Sequence, residues 1–365
     1  MKKKKSEGMD RRTFLKASSA VSVGAAVALG ASRVTSAQTK YSGEKIDFFC
    51  HILPPKYNEA FVKRATRGFN YEANTSRPQL ANLDLRLKTL DKFEGLKQVL
   101  TLGAPGVESA FPKDTVDMAR MANDGMAEIV NKYPDRIVAA IASLPMNNVD
   151  AALREAERAM KDLKFKGIQV FSSVDGKPLD SPEFLPIYEM MSRYDLPILI
   201  HPGKEREVPD YAGEKASKYA LFLAFGWPYE TTLALGRLVY SGVMEKYPNL
   251  KIVAHHCGAM VPFFSVRFQA VEAAGEGEIM KLTKPPAQYF KRIYGDTVLG
   301  ANTSAMMCGY SFFGADHMVF STDYPYPGAD FGVDAVIKGI EGMNITNEEK
   351  AKIFSKNVRQ LLKLA

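Results

Sequence analysis

Four of the five histidines of this 365-residue chain close short β-like runs. His51 ends KIDFFCH, His201 ends LPILIH, and the pair His255–His256 ends KIVAHH; a carboxylate, Asp323, stands in the same way in HMVFSTD. Neutral imidazoles and a carboxylate are ordinary ligands of zinc and similar divalent ions, and catalytic centres use three protein ligands while leaving a position for water or substrate. His51, His201 and Asp323 make such a set. His256 remains as a general acid/base beside a metal that lowers the pKa of its bound water. One histidine at a strand end is an ordinary structural residue; it is the convergence of several with an aspartate that points to chemistry. On strand alternation His255 and His256 point to opposite sides, so only one is expected to face the interior. His317, placed before the last run rather than at its end, reads as a surface or structural residue.

The elements that must position these groups are legible as alternating runs. β-like stretches fall at 45–51, 97–103, 136–145, 165–172, 196–202, 251–258, 291–298 and 317–325. Amphipathic helical stretches lie between several of them. The segment 123–134 stops at a proline, 147–163 has Asn147 or Asn148 as a cap, 181–195 starts at Ser181 with Pro182 in its first turn, and 229–248 runs to Pro248. Eight strands with intervening helices predict an α/β chain folded as one (β/α)8 barrel over residues 38–365, whose active residues stand at the C-terminal strand ends. The long stretch 52–96 after the first strand is expected to be an insertion over the barrel mouth. A doubly wound open sheet lacks support, because no glycine-rich phosphate loop follows the first strand.

The formal net charge is +7, but eight Lys/Arg and two acids fall within residues 1–37, leaving 40 basic and 39 acidic residues in the remainder. A body at +1 carries no basic footprint for nucleic acid. The basic segment MKKKKSEGMDRRTFLK precedes a mild run of small residues, 17–32, too short for a membrane span. DRRTFLK resembles a twin-arginine export signal, and VTSA offers a cleavage site before Gln38. Residues 1–37 are therefore expected to be a signal peptide. Its partner would be the twin-arginine machinery, which exports folded, cofactor-loaded proteins, and the product would be periplasmic or secreted. Cys50, Cys257 and Cys308 are too few and odd in number for a disulfide framework; Cys50 and Cys257 read as buried packing residues.

Several phrases together resemble the amidohydrolase superfamily, in the branch of 2-amino-3-carboxymuconate-6-semialdehyde decarboxylase and related aromatic-acid decarboxylases. They are IDFFCHILPP, GKPLDSPEFLPIYE, LPILIHPG, GWPYETTLALGRLVYSGVMEKYPNLKI, HHCGAMVPFFSVR and STDYPYP, and they cover nearly the whole chain from about residue 44 to 360. The resemblance implies a metal-dependent nonoxidative carboxy-lyase acting on a small aromatic or unsaturated carboxylic acid, with zinc, manganese or iron as cofactor. The alternatives are a metal-dependent hydrolase of a lactone, ester or amide, and a non-catalytic periplasmic binding barrel. It matches His201 and Asp323 to metal ligands. The acid/base histidine of the branch precedes a proline by six residues and an arginine by eleven, which selects His256 through Pro262 and Arg267. Arg267 then corresponds to an arginine that reaches the substrate carboxylate of the neighbouring subunit in a homodimer.

The departure from the branch is at the first strand. Its pattern there is His-x-His or Glu-x-His; this chain has Phe49-Cys50-His51. Phe49 cannot ligate, and Cys50 is out of phase and expected to point away from the interior. Three arrangements stay open: a metal held by His51, His201, Asp323 and water; another residue such as Glu108 or His256 filling the gap; or a metal-free site with altered or lost chemistry. Specificity residues are expected in 52–96 and 203–228. Trp227 is expected to pack against the next helix.

Overall fold

The alternating runs become eight parallel strands in the computed structural model, which describes residues 41–274, 282–326 and 328–364. The expected signal peptide, 1–37, lies outside the described residues. The strands are β1 (Lys45–Ile52), β2 (Leu96–Leu102), β3 (Ile137–Ala140, continued by Ala142–Ser143), β4 (Ile168–Phe171), β5 (Pro197–His201), β6 (Lys251–Ala254), β7 (Tyr294–Asp296) and β8 (Met318–Val319). Each pairs in parallel with the next from β1 to β8. The ring closes where Phe48 N–H donates to Phe320 O at 3.0 Å and His51 N–H to Tyr324 O at 2.7 Å, beside a parallel bridge of Cys50 with Tyr324.

Strand alternation separates two cores. Val99, Ala139, Ile141, Leu199, Val253 and Val319 fill the lumen, one or two from each strand concerned. Val358, Leu361 and Leu362 of the helix Asn357–Leu362 pack into the same cluster. The intervening strand residues, such as Leu100, Ile198 and Ile252, join the larger core with the helices. On β1 the register shifts between Asp47 and Cys50, so Phe48 and Phe49 both belong to the lumen cluster while Cys50 joins the outer one. Such a bulge resets the two-residue phase. His51, two residues beyond Phe49, consequently returns to the lumen side, and Cys50 points away from it as its spacing predicts.

The insertion after β1 contains the helices Pro55–Arg64, Phe69–Thr75 and Leu83–Asp91. It is tied to the chain end of β2 by Asn74 Nδ2 donating to Ala104 O at 2.5 Å.

All three cysteines are free, with Cys50 and Cys257 buried. Cys257 packs against Gly309 of the helix Thr303–Phe313, where an added Cβ would stand 2.2 Å from its Sγ. Gly309→Ala is expected to destabilise the fold by about 1–3 kcal/mol through overpacking, reduced by up to about 1 kcal/mol of helix propensity. A denaturant midpoint at or above that of the wild type would contradict this packing.

Candidate metal centre

In-phase residues beyond the lumen core carry the site. Leu199 leads to His201 within β5 at a two-residue step. His255 follows Val253 by two residues just past the end of β6, and Asp323 lies four residues past the end of β8 with a left-handed φ of +61°. His51, His201, His255 and Asp323 converge, and one donor atom from each lies within 4.8 Å of the others. The expectation that only one of the two adjacent histidines faces inward is corrected here. His255 is the in-phase residue. The strand ends at Ala254, and His256 takes a left-handed φ of +55°, so that its side chain also turns to the barrel mouth and lines the cavity above the group. The two imidazole centroids are 4.1 Å apart.

The ring nitrogens are arranged as metal ligands require. His51 Nδ1 lies 3.0 Å from Thr101 Oγ1 and 3.3 Å from Leu102 O, His201 Nδ1 lies 2.7 Å from Pro202 O, and His255 Nδ1 lies 2.6 Å from Asp296 Oδ2. Donation from Nδ1 to these oxygens leaves the Nε2 lone pairs for the centre. Nε2 of His51 is 2.9 Å and Nε2 of His255 3.5 Å from the same Asp323 Oδ1, yet both are buried without a hydrogen bond of acceptable geometry. Lone pairs and a carboxylate oxygen that converge in this way call for a cation between them, so the donor set fits a divalent metal.

With protein groups alone, burial pushes His201 down, helped by the charges of His255 and His51. Burial also opposes charge on His255, but Asp296 and Asp323 outweigh it and bring the imidazole up to about 9. Asp323 is disfavoured as an anion by burial and still held well below the usual carboxylate range by the two imidazoles beside it. His256 is pushed down to about 4, first by burial and then by the neighbouring His255, so its resting form is neutral.

A cavity of about 300 Å³ opens above this group, lined by His51, His201, His256 and Asp323 at its base and by Phe69, Leu223, Trp227 and Tyr326 on its walls. Arg77, from the insertion, is the one lysine or arginine lining it among the described residues. Its guanidinium lies 4.5 Å from the Tyr326 ring centroid, and Nη1 donates to Ala73 O at 2.7 Å. Trp227, expected to pack, lines the cavity and donates Nε1–H to Lys204 O at 2.9 Å. Arg267 sits exposed on the short turn Ser265–Arg267 and does not line this cavity. Glu108 does not fill the gap left by Phe49: its Oε1 accepts Met146 N–H at 3.1 Å, and it is not one of the four converging residues. His317 packs tilted against Tyr294, with centroids 4.6 Å apart.

Three further residues support the site. Asp296 closes β7 and holds both His255 and Cys257 N–H, the latter at 2.9 Å; its position at a strand end was the available clue. Asp47 accepts Thr322 N–H at 2.8 Å, and burial pushes its carboxyl up to about 7. Arg86 is wholly buried, donates to His51 O and, at 2.7 Å, to Gln98 Oε1, and lies 4.5 Å from the Tyr324 ring centroid. It thus holds the end of β1 beside the segment that follows β8.

A closed eight-stranded barrel with three imidazoles and an aspartate converging at its C-terminal end defines a metal-dependent enzyme of the amidohydrolase type. The chain belongs to the amidohydrolase family, whose sequence model matches residues 46–364. It is 32% identical over 298 residues to gamma-resorcylate decarboxylase of a Rhizobium species, covering 77% of this chain and 87% of the relative. It is 29% identical over 328 residues to 2-amino-3-carboxymuconate-6-semialdehyde decarboxylase of Dictyostelium discoideum, covering 84% and 88%. Among solved structures, 5-carboxyvanillate decarboxylase of Novosphingobium aromaticivorans, complexed with manganese and 4-hydroxy-3-methoxy-5-nitrobenzoic acid, superposes with a TM-score of 0.77 at 25% identity, over 89% of this chain and 97% of that one.

Proposed function

We propose that the chain is a nonoxidative decarboxylase of a small aromatic carboxylic acid, dependent on a divalent metal. The observation that carries the reading is the convergence of imidazole Nε2 atoms on Asp323 at the base of a small aromatic-walled cavity that Arg77 also lines. His51, His201 and Asp323 would hold the metal, and the manganese in the Novosphingobium relative supports that ion over zinc. Bound there, the metal supplies a positive charge that orients an oxygen of the substrate and withdraws electrons from it.

The chain's own groups supply the rest. Arg77 binds the carboxylate or an adjacent oxygen, while Trp227, Leu223 and Phe69 exclude water from the ring face. His256 carries the proton that replaces carbon dioxide. The ring carbon takes that proton, the bond to the carboxylate breaks, and its electron pair restores the ring as carbon dioxide leaves. An imidazolium with a low pKa is a strong acid toward carbon, and an anionic substrate raises its occupancy on binding.

Manganese-loaded protein presented with a panel of ortho-hydroxybenzoates is expected to release one carbon dioxide per acid consumed. Hydrolysis of lactones or amides with no carbon dioxide from any acid would overturn the proposal. Arg77→Ala is expected to raise KM by about 10–100-fold, the equivalent of a charge-assisted hydrogen bond of about 1.5–3 kcal/mol. An unchanged KM would remove Arg77 from substrate binding.

Two further parts of the reading rest on sequence and surface. The twin-arginine-like leader supports export to the periplasm, which fractionation of cells expressing the full chain tests. Arg267 stands beside the exposed Phe263 and Val266, a surface suited to a second copy of the chain whose cavity it would complete. Sedimentation equilibrium showing a dimer that Arg267→Glu dissociates is the expected result; a monomer at all concentrations would refute it.

A further inference from the structure

His255 differs from the other converging residues in that it does not line the cavity: it is fully buried, with Phe49 packed tilted against its ring. The Phe49 and His255 ring centroids are 4.4 Å apart, and those of His201 and His255 are 4.8 Å apart in a stacked arrangement. Phe49 is itself fully buried in the lumen cluster, in phase with His51 on β1. The lumen position from which β1 could have offered a second donor is therefore filled by a hydrocarbon ring, and that ring backs an imidazole arriving from β6.

We infer that His255 Nε2 is the fourth protein ligand of the metal, moving one coordination position from β1 to β6, with Asp296 as the positioning residue that fixes its tautomer and Phe49 as its packing support. Three observations carry this. The Nδ1–Asp296 contact of 2.6 Å orients the ring so that Nε2 points to the centre. That Nε2 is buried and makes no hydrogen bond of acceptable geometry. It also falls inside the same 4.8 Å group as the donors of His51, His201 and Asp323. A carboxylate behind a ligating imidazole is the usual way such a ring is held and made more basic. The competing account is a structural stack in which a protonated His255 bridges Asp296 and Asp323 and never touches metal.

The inference rests on the metal-dependent reading above, and cobalt(II) separates the two. In the cobalt-loaded wild-type chain, each imidazole that ligates through Nε2 while keeping its buried Nδ1–H gives one exchangeable, hyperfine-shifted proton resonance. Three such resonances are expected, from His51, His201 and His255, one of which disappears in Asp296→Asn or His255→Gln. Competition with a chelating dye is expected to show cobalt affinity reduced at least 10–100-fold in His255→Gln, the scale seen even for outer-shell changes. Two resonances in the wild type, with wild-type affinity in His255→Gln, would overturn the assignment while leaving a metal enzyme. A wild-type chain that takes up no cobalt would instead overturn the metal reading, and this inference with it. The wild-type spectrum is decisive even if a variant fails to fold.

Discussion

His256→Asn is expected to lower kcat for decarboxylation by about 10²–10⁴-fold, the usual contribution of a positioned acid or base, while the bound metal stays at one equivalent. The two readouts separate because His256 lines the cavity but is not one of the four converging donors. Asparagine is chosen because it tolerates the left-handed backbone that position 256 adopts at φ +55°. The variant then loses the proton carrier without adding strain. Its rate loss corresponds to about 3–5 kcal/mol of transition-state stabilisation. The pH profile adds a signature that a structural residue would lack. Burial and the nearby His255 push His256 down to about 4 in the free chain, and a bound carboxylate favours its protonated form. The wild-type kcat is therefore expected to fall on the alkaline side as the complex loses that proton, and the variant to lose this limb. A variant with wild-type kcat, or one stripped of metal, would remove His256 from the acid/base role.

The legible and illegible parts of this site divide along physical lines. Strand ends were readable because apolar runs of fixed phase end at polar residues: PILIH and KIVAH each put a lumen aliphatic two residues before a histidine. That same phase selects His255 for the interior, a point obscured by reading His255 and His256 as one continuous strand. Nothing local announces that the chain leaves the strand at Ala254 and turns through a left-handed residue to return His256 to the cavity. The bulge in β1 hides in the same way. Strict alternation from Ile46 would put Phe48 in the lumen and Phe49 outside, and only the register shift places both there. Arg77 and Arg86 lie in the insertion, Arg77 in an extended link between its short helices and Arg86 within the helix Leu83–Asp91. Their sequence context resembles that of ordinary solvated surface segments. Their roles come from contacts to residues distant in sequence, His51, Gln98, Tyr324 and Tyr326, which no spacing rule connects.

Arg86→Ala is expected to destabilise the fold by about 3–5 kcal/mol, the sum of two buried acceptors left unpaired and the cavity its side chain leaves. The guanidinium is fully buried, and it supplies donors to two acceptors on different strands, His51 O on β1 and Gln98 Oε1 on β2. Its loss leaves both acceptors buried and unpaired, each costing about 1–3 kcal/mol, and opens a cavity beside the Tyr324 ring. Arg86→Met refills most of the volume but leaves the acceptors bare, so its loss is expected to be smaller without vanishing. Arg86→Lys keeps the charge, but a single ammonium cannot reproduce the planar fork that reaches Gln98 and the His51 carbonyl together. The damage is expected to extend to the metal centre. His51 stands at the end of the strand segment Arg86 clamps, and Tyr324 directly follows Asp323, so two of the converging donors lose a shared support. Cobalt affinity should fall in Arg86→Lys even under conditions where the variant is fully folded. Chemical denaturation and chelator competition on the same preparations provide the check. Wild-type values in both would show that the buried arginine fills space without holding the site together.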